Sequence, residues 1–326
     1  MRRSILSILG ATSVLLATIG LAMAQSDYPS RPVRIVVAWP PGSGIDVLVR
    51  HMTEPLRAEL GQPLVIDNKG GAAGVVGAEI VALAPPDGYT LLFTSAALNM
   101  VAAMGTKTSY QVPDSFVPVA NVIFAPMIMV AHPSLNVKTP HDLIALAKSK
   151  PGQLIYATAG YGSPSHFVTE LFRVRTGIMA TGVQYRGSPQ AMLDLIAGRV
   201  GFYFSPTSTA LPQIKAGKAK ALAVGSTKRL DFAPEIPTMD ELGYKDFHGS
   251  YWDGLLGPKG LPLPIANRVA EAVNRVLARP DVLANMAPLA NEIDGNSNPQ
   301  SFAVLMKKDM ATWVEVVKAA NIKAPN

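Results

Sequence analysis

The strongest constraint on the fold of this chain is a strand that runs into a helix through a turn rich in glycine and proline. Val33-Arg34-Ile35-Val36-Val37-Ala38-Trp39 is an almost unbroken apolar run, the pattern of a strand covered on both faces in a parallel sheet. Pro40-Pro41-Gly42-Ser43-Gly44-Ile45-Asp46 follows it. Beyond that turn, Leu48, Met52, Leu56 and Leu60 mark one face of an amphipathic helix, which Pro55 is expected to bend or delay. A parallel sheet needs such crossovers, so this unit commits the chain to an α/β fold. The turn also has a chemistry. Its glycines let the backbone approach a ligand, Ser43 can cap the helix, and the first free N–H groups point outward at the positive end of the helix dipole, which makes an anion cradle.

The pattern continues downstream. Pro63 to Asn68 reads as a second strand, and the glycine-rich run Gly70 to Gly77 opens a helix reaching about Ala84. That run lacks the G-x-G-x-x-G order of a dinucleotide site, so it is read as a helix packing a small face on the sheet. Tyr89 to Ser95 is a third strand, which places Ser95, Ala96 and Ala97 beside Gly42 to Asp46 at the carboxyl ends of the strands, where α/β sheets bind ligands. Val117 to Val130, interrupted by Pro126, carries the chain into a second α/β series with strands at Leu154 to Thr158, Val183 to Arg186 and Val200 to Phe204. Lys220 to Gly225 is read as the strand that returns to the first lobe. Residues 25–124 and 228–326 then form lobe 1 and residues 125–227 lobe 2, joined by two hinge-crossing strands.

Thr158-Ala159-Gly160-Tyr161-Gly162-Ser163-Pro164-Ser165-His166 repeats the logic of the first turn: strand, glycines, a Ser cap, and Pro164 suited to the first helical turn. Facing each other across a cleft, the two helix ends would suit a dicarboxylate, or a carboxylate with a second polar end. Two capped helices also occur in any α/β protein. His166 is read as a cleft residue and Arg186 as a candidate clamp for a distal carboxylate. Asp46 is read as ordering its loop, with Trp39 and Tyr161 as candidate pocket walls. The five His residues have no metal-binding spacing, no G-x-S-x-G elbow exists, and no cofactor is called for.

Met1-Arg2-Arg3, an apolar stretch from Ile5 to Leu21, and Ala22-Met23-Ala24 describe a signal peptide cleaved after Ala24, and hence a periplasmic location. No later stretch is apolar for long enough to span a bilayer, so no stable membrane insertion is expected after cleavage. The chain has no cysteine, which excludes a thiol nucleophile and cysteine-ligated metal. Of the net charge of +6, two positive charges leave with the signal, and no dense basic block points to nucleic acid.

Several segments together resemble the Bug-type substrate-binding receptors of tripartite tricarboxylate transporters. They are Tyr28 to Val33, Trp39 to Gly42, Gly160 to Ser163, Tyr185-Arg186-Gly187-Ser188, Ala210 to Gly217, Ala221 to Val224, Pro237-Thr238, and Trp252 with Gly254-Leu255-Leu256. The resemblance implies a two-lobe Venus-flytrap fold of the type II-like periplasmic-binding-protein kind, acting as a monomer that passes a carboxylate to a membrane permease. It implies ligand contacts from Pro41, Gly42, Ser43, Gly44, Ile45 and Asp46 on one lobe and from Tyr161, Gly162, Ser163, Ser165 and His166 on the other. Ser95, Ala96, Arg186, Gly187 and Ser205 are carried over beside them. Members that bind amino acids can place an Asp at the position aligned with Ser205, so the Ser predicts an acid without an amino group, a di- or aromatic carboxylate. The alternative from another class is a periplasmic α/β enzyme acting on an anionic substrate.

Overall fold

The computed structural model describes residues 28–247 and 249–324. The signal segment, with its expected cleavage after Ala24, lies outside these residues.

The first lobe is built as the alternation of apolar segments requires. Strand β1 (Val33–Val37) pairs in parallel with β2 (Leu64–Asn68) on one side and β3 (Thr90–Ser95) on the other. Alternate residues of β1 enter different cores: Ile35 and Val37 pack with Leu48 and Met52, whereas Val36 packs with Leu92 and Ala78. Burial on both faces is why this strand reads as a continuous apolar run. Helix α1 (Gly44–Leu60) starts directly after the turn, so Pro55 does not delay it and sits inside an uninterrupted helix. Helix α2 (Val75–Ala82) follows a single left-handed turn at Ala72 and Ala73, and α3 (Ala97–Ala103) follows β3.

One strand joins the lobes. β4 (Phe116–Ala131) pairs antiparallel with β9 (Ser250–Pro258) through its first part. Through its last residues it pairs with β7 (Phe202–Pro206) and β8 (Lys220–Val224). Pro126 falls at the switch between the two parts. Beyond β7 lie β5 (Leu154–Thr158) and β6 (Ala180–Gln184), parallel to each other, giving the path β2-β1-β3-β9-β4-β7-β5-β6. β10 (Glu292–Ile293) attaches to β4 outside this path.

The second crossing differs from the expectation. β8 pairs with the distal end of β4 and does not return the chain to the first lobe. Residues 228–247 continue to pack on the second lobe: Leu230, Ala233 and Ile236 join the core of Ile128, Val130 and Tyr203, and Phe247 stacks on Phe204 at 5.8 Å. The return is made at Gly249–Ser250, where Gly249 and Gly225 both bond to Met127 of β4. A Cβ on Gly225 would stand 2.5 Å from the Gly249 backbone, so the end of β8 and the start of β9 can meet here only as two glycines.

A final helix, α10 (Pro299–Ala320), lies across both lobes. Its Asp309 accepts from Trp252 Nε1 at 3.0 Å, Trp313 Nε1 at 2.6 Å and Asn99 Nδ2 at 2.8 Å. Its Trp313 meets Phe167 of α5 (Pro164–Thr176) edge-on at 5.4 Å.

Candidate functional site

The two glycine turns are built alike. In the first, Ser43 caps α1 by accepting from Asp46 N–H at 3.4 Å, and Gly42 N–H donates to Asp46 Oδ2 at 2.8 Å. In the second, Ser163 caps α5 by accepting from His166 N–H at 3.3 Å, and Gly162 N–H is directed at His166 Nδ1 at 3.4 Å. Ser43 N–H closes onto Pro40 C=O and Ser163 N–H onto Gly160 C=O, both at 3.2 Å. Gly42 and Gly162 take the same left-handed conformation, φ 77 and 76. Each turn is therefore Gly-Ser-x-x-acceptor, where the fifth residue's side chain consumes the glycine N–H.

This changes the expectation of ligand contact from Gly42, Asp46 and His166, while Asp46 orders its loop as the sequence reading had it. Gly42 N–H is spent within the loop, so Gly42 serves through its backbone conformation. Asp46 is buried, bonded to Arg50 at 3.0 Å and Asn68 at 2.9 Å, and does not line the cavity. Burial alone would raise its pKa, but the bonds from Arg50, Gly42 and Asn68 outweigh burial and hold the carboxyl below the usual range. His166 is buried under its loop with Tyr161 against it at 4.6 Å. Desolvation lowers its pKa, which keeps the ring neutral and leaves Nδ1 available as an acceptor.

What remains free is the next part of each turn. The N–H groups of Gly44 and Ile45, and that of Ser165, find no partner among the described residues. They border a cavity of about 340 Å³ between the lobes, with Ser43, Gly44 and Ile45 on one wall and Ser163, Pro164 and Ser165 on the other. Its floor includes Met127, the residue of β4 at the hinge. A hollow of about 520 Å³ near Pro133, Lys138 and Pro237 lies on the second lobe, away from these helix ends.

Of the other expected residues, Trp39, Gly42, Ser95 and Gly187 also line the cavity. Pro41, Ala96, Tyr161, Gly162, Arg186 and Ser205 do not. Ala96 is buried, its N–H donated to Trp252 C=O. Tyr161 reaches outward to Lys323 C=O at 2.5 Å. Arg186 is exposed beside the wall made by Gly187. Ser205 is fully buried and donates to Pro206 C=O at 3.1 Å. The absence of an acid at Ser205 therefore carries no information about the cavity wall, and the prediction of an acid without an amino group loses its premise.

Sequence reasoning missed two kinds of residue. Helices α6 (Ser188–Ile196) and α7 (Thr207–Lys215) also present their first residues to the cavity, through Ser188 and Pro189 and through Ser208 and Thr209. The signal was present in part, because each follows a strand closely, α6 through Tyr185-Arg186-Gly187 and α7 directly after Pro206. Tyr251, Asp253, Leu289 and Asn291 had no local signal. Asp253 arrives because β9 pairs antiparallel with β3 in the register that sets it opposite Ser95. It is 5% exposed, its Oδ1 has no hydrogen-bond partner, and desolvation pushes its carboxyl up to about 8. Trp39 Nε1 is a second buried polar atom on this wall without a partner.

A two-lobe α/β molecule in which strand ends and helix N-termini converge on one interlobe cavity has the construction of a solute-binding receptor. The family model described as tripartite tricarboxylate transporter family receptor matches residues 48–322, and the chain belongs to that family. The family is one of periplasmic solute-binding receptors and not of enzymes. Protein BugT of Bordetella pertussis is 32% identical over 97% of this chain and 98% of its own length. Among solved structures, a protein of R. palustris with adipate has a TM-score of 0.79 at 30% identity, over 91% of this chain and 99% of that one. MatC from Rhodopseudomonas palustris with bound malate has a TM-score of 0.77 at 31% identity, over 89% of this chain and all of the other. Among the described residues no helix is long and apolar enough to cross a membrane.

Proposed function

We propose that the chain, exported and cleaved after Ala24, is a monomeric periplasmic receptor that captures a small organic carboxylate between its lobes and delivers it to a tripartite tricarboxylate-type permease. The observation that carries this reading is the pair of matched turns with unspent N–H groups at Gly44, Ile45 and Ser165 on opposite walls of one cavity. Such donors at helix N-termini hold a carboxylate without a cationic side chain, and among the described residues no Lys, Arg or His lines this cavity. Closure brings the two sets of donors onto the same anion, so ligand binding stabilises the closed form through its differential contacts. The adipate and malate in the related structures support the ligand class.

A pair of substitutions tests the cradle. Gly44→Pro removes one unspent N–H at the first helical position, where proline is tolerated. Gly44→Ala keeps the N–H and adds a methyl where nothing lies within 4 Å. Loss of a hydrogen bond to a charged group is worth about 1.5–3 kcal/mol, so calorimetry with the bound acid should show roughly tenfold or greater weakening for the proline variant and little for the alanine variant. Equal affinities for all three proteins would remove the cradle from the account.

A further inference from the structure

Asp253 is an acid in the wall of a cavity that otherwise recognises an anion. Its carboxyl is more than nine-tenths buried and, among the described residues, Oδ1 has no partner and no cationic side chain lines the cavity to balance it. A second ligand carboxylate placed there would find no cationic side chain among the described residues, and only the proton that Asp253 holds to bond to. An ionised Asp253 without a partner would itself be costly, which is why burial holds its proton so firmly. Trp39 and Tyr251 give the cavity aromatic walls, which accommodate an organic cation better than a second anion.

We infer that the ligand of this receptor carries a cationic nitrogen, an ammonium or substituted ammonium, that pairs with Asp253 while the ligand carboxylate occupies the helix N-termini around Gly44, Ile45 and Ser165. The inference rests on the carboxylate-receptor reading and narrows it. A zwitterion matches both ends of the cavity: its carboxylate takes the unspent N–H donors, and its nitrogen donates to the Asp253 carboxylate in a charge-assisted bond. It also sets this chain apart from the relatives solved with adipate and malate, both dicarboxylates.

The test is calorimetric titration of the signal-free protein with sets of carboxylates that share a chain length and differ at the far end, which is an ammonium, a hydroxyl, a methyl or a second carboxylate. In the best-binding set, the ammonium member should bind about tenfold or more tightly than the others. Asp253→Asn should abolish that preference while keeping the affinity for the methyl member, which also shows that the variant is folded. Dicarboxylates or hydroxy acids binding as well as the ammonium member would overturn the inference and leave the carboxylate receptor standing, as would a preference that survives Asp253→Asn. Should the variant fail to fold, the wild-type ranking alone decides. No binding by any carboxylate would overturn both readings.

Discussion

Asp253 supplies a prediction that needs no ligand. In the empty protein its carboxyl keeps its proton up to about pH 8, against 3.8 for an unperturbed Asp. The folded chain thus holds the proton more tightly than the unfolded chain. The associated stability is fully present below the unfolded pKa and is lost as pH rises through the folded one. Each pH unit between the two values is worth about 1.4 kcal/mol, so the loss across the interval is at most on the order of 6 kcal/mol, reduced by whatever water enters the cavity. Asp253→Asn keeps the shape and cannot titrate. Urea denaturation of both proteins between about pH 4 and about pH 9 isolates this group, because every other titration is common to both. The variant should gain on the wild type steadily with pH and level off above about pH 8. Two stability curves that stay parallel over the whole range would refute the reasoning.

Three further substitutions probe the frame around the cavity. Asp46→Ala removes the acceptor for Gly42 N–H, Arg50 and Asn68 and should weaken ligand binding by about 1–3 kcal/mol in calorimetry. Because Asp46 has a depressed pKa, its stabilisation is present above the unfolded value and is lost as pH falls below it, so wild type and variant should converge in stability in acid. Asp309→Ala leaves three buried donors unmatched and should cost about 3 kcal/mol or more in denaturation midpoint analysis; an unchanged midpoint would show that α10 is not anchored through this group. Gly225→Ala places a methyl 2.5 Å from the Gly249 backbone at the hinge. It should lower Tm by several degrees, the cost of overpacking being about 1–3 kcal/mol.

Most of the fold is local and could be read locally. Unbroken apolar runs mark the central strands, and the repeat of Leu48, Met52, Leu56 and Leu60 marks α1, because in both the side-chain period reports the buried face. The two turns were legible because a glycine, a capping serine and a helix start are sequence neighbours. Of their fifth residues, Asp46 was legible as ordering its loop, whereas His166 looks like a ligand group by type, yet the same spacing sends each back to its own glycine N–H. What failed was long-range. Lys220 to Val224 has the composition of a strand whichever lobe it joins, and only pairing with Ile128 to Ala131 decides it. Residues 228–247 have no periodicity to reveal that Leu230, Ile236 and Phe247 complete the second lobe's core. Asp253 lies in a strand of apolar neighbours, and its place opposite Ser95 depends on an antiparallel register that sequence does not encode locally.

One carboxylate gripped by helix N-termini from both lobes is the arrangement on which this receptor's function depends. A crystal structure of the protein with the acid that native mass spectrometry finds co-purified tests it most directly. Carboxylate oxygens are expected within about 3 Å of Gly44 or Ile45 N–H on one side and of Ser165 N–H on the other, with the lobes closed over them. A ligand seated elsewhere, or one whose carboxylate touches neither turn, would contradict it.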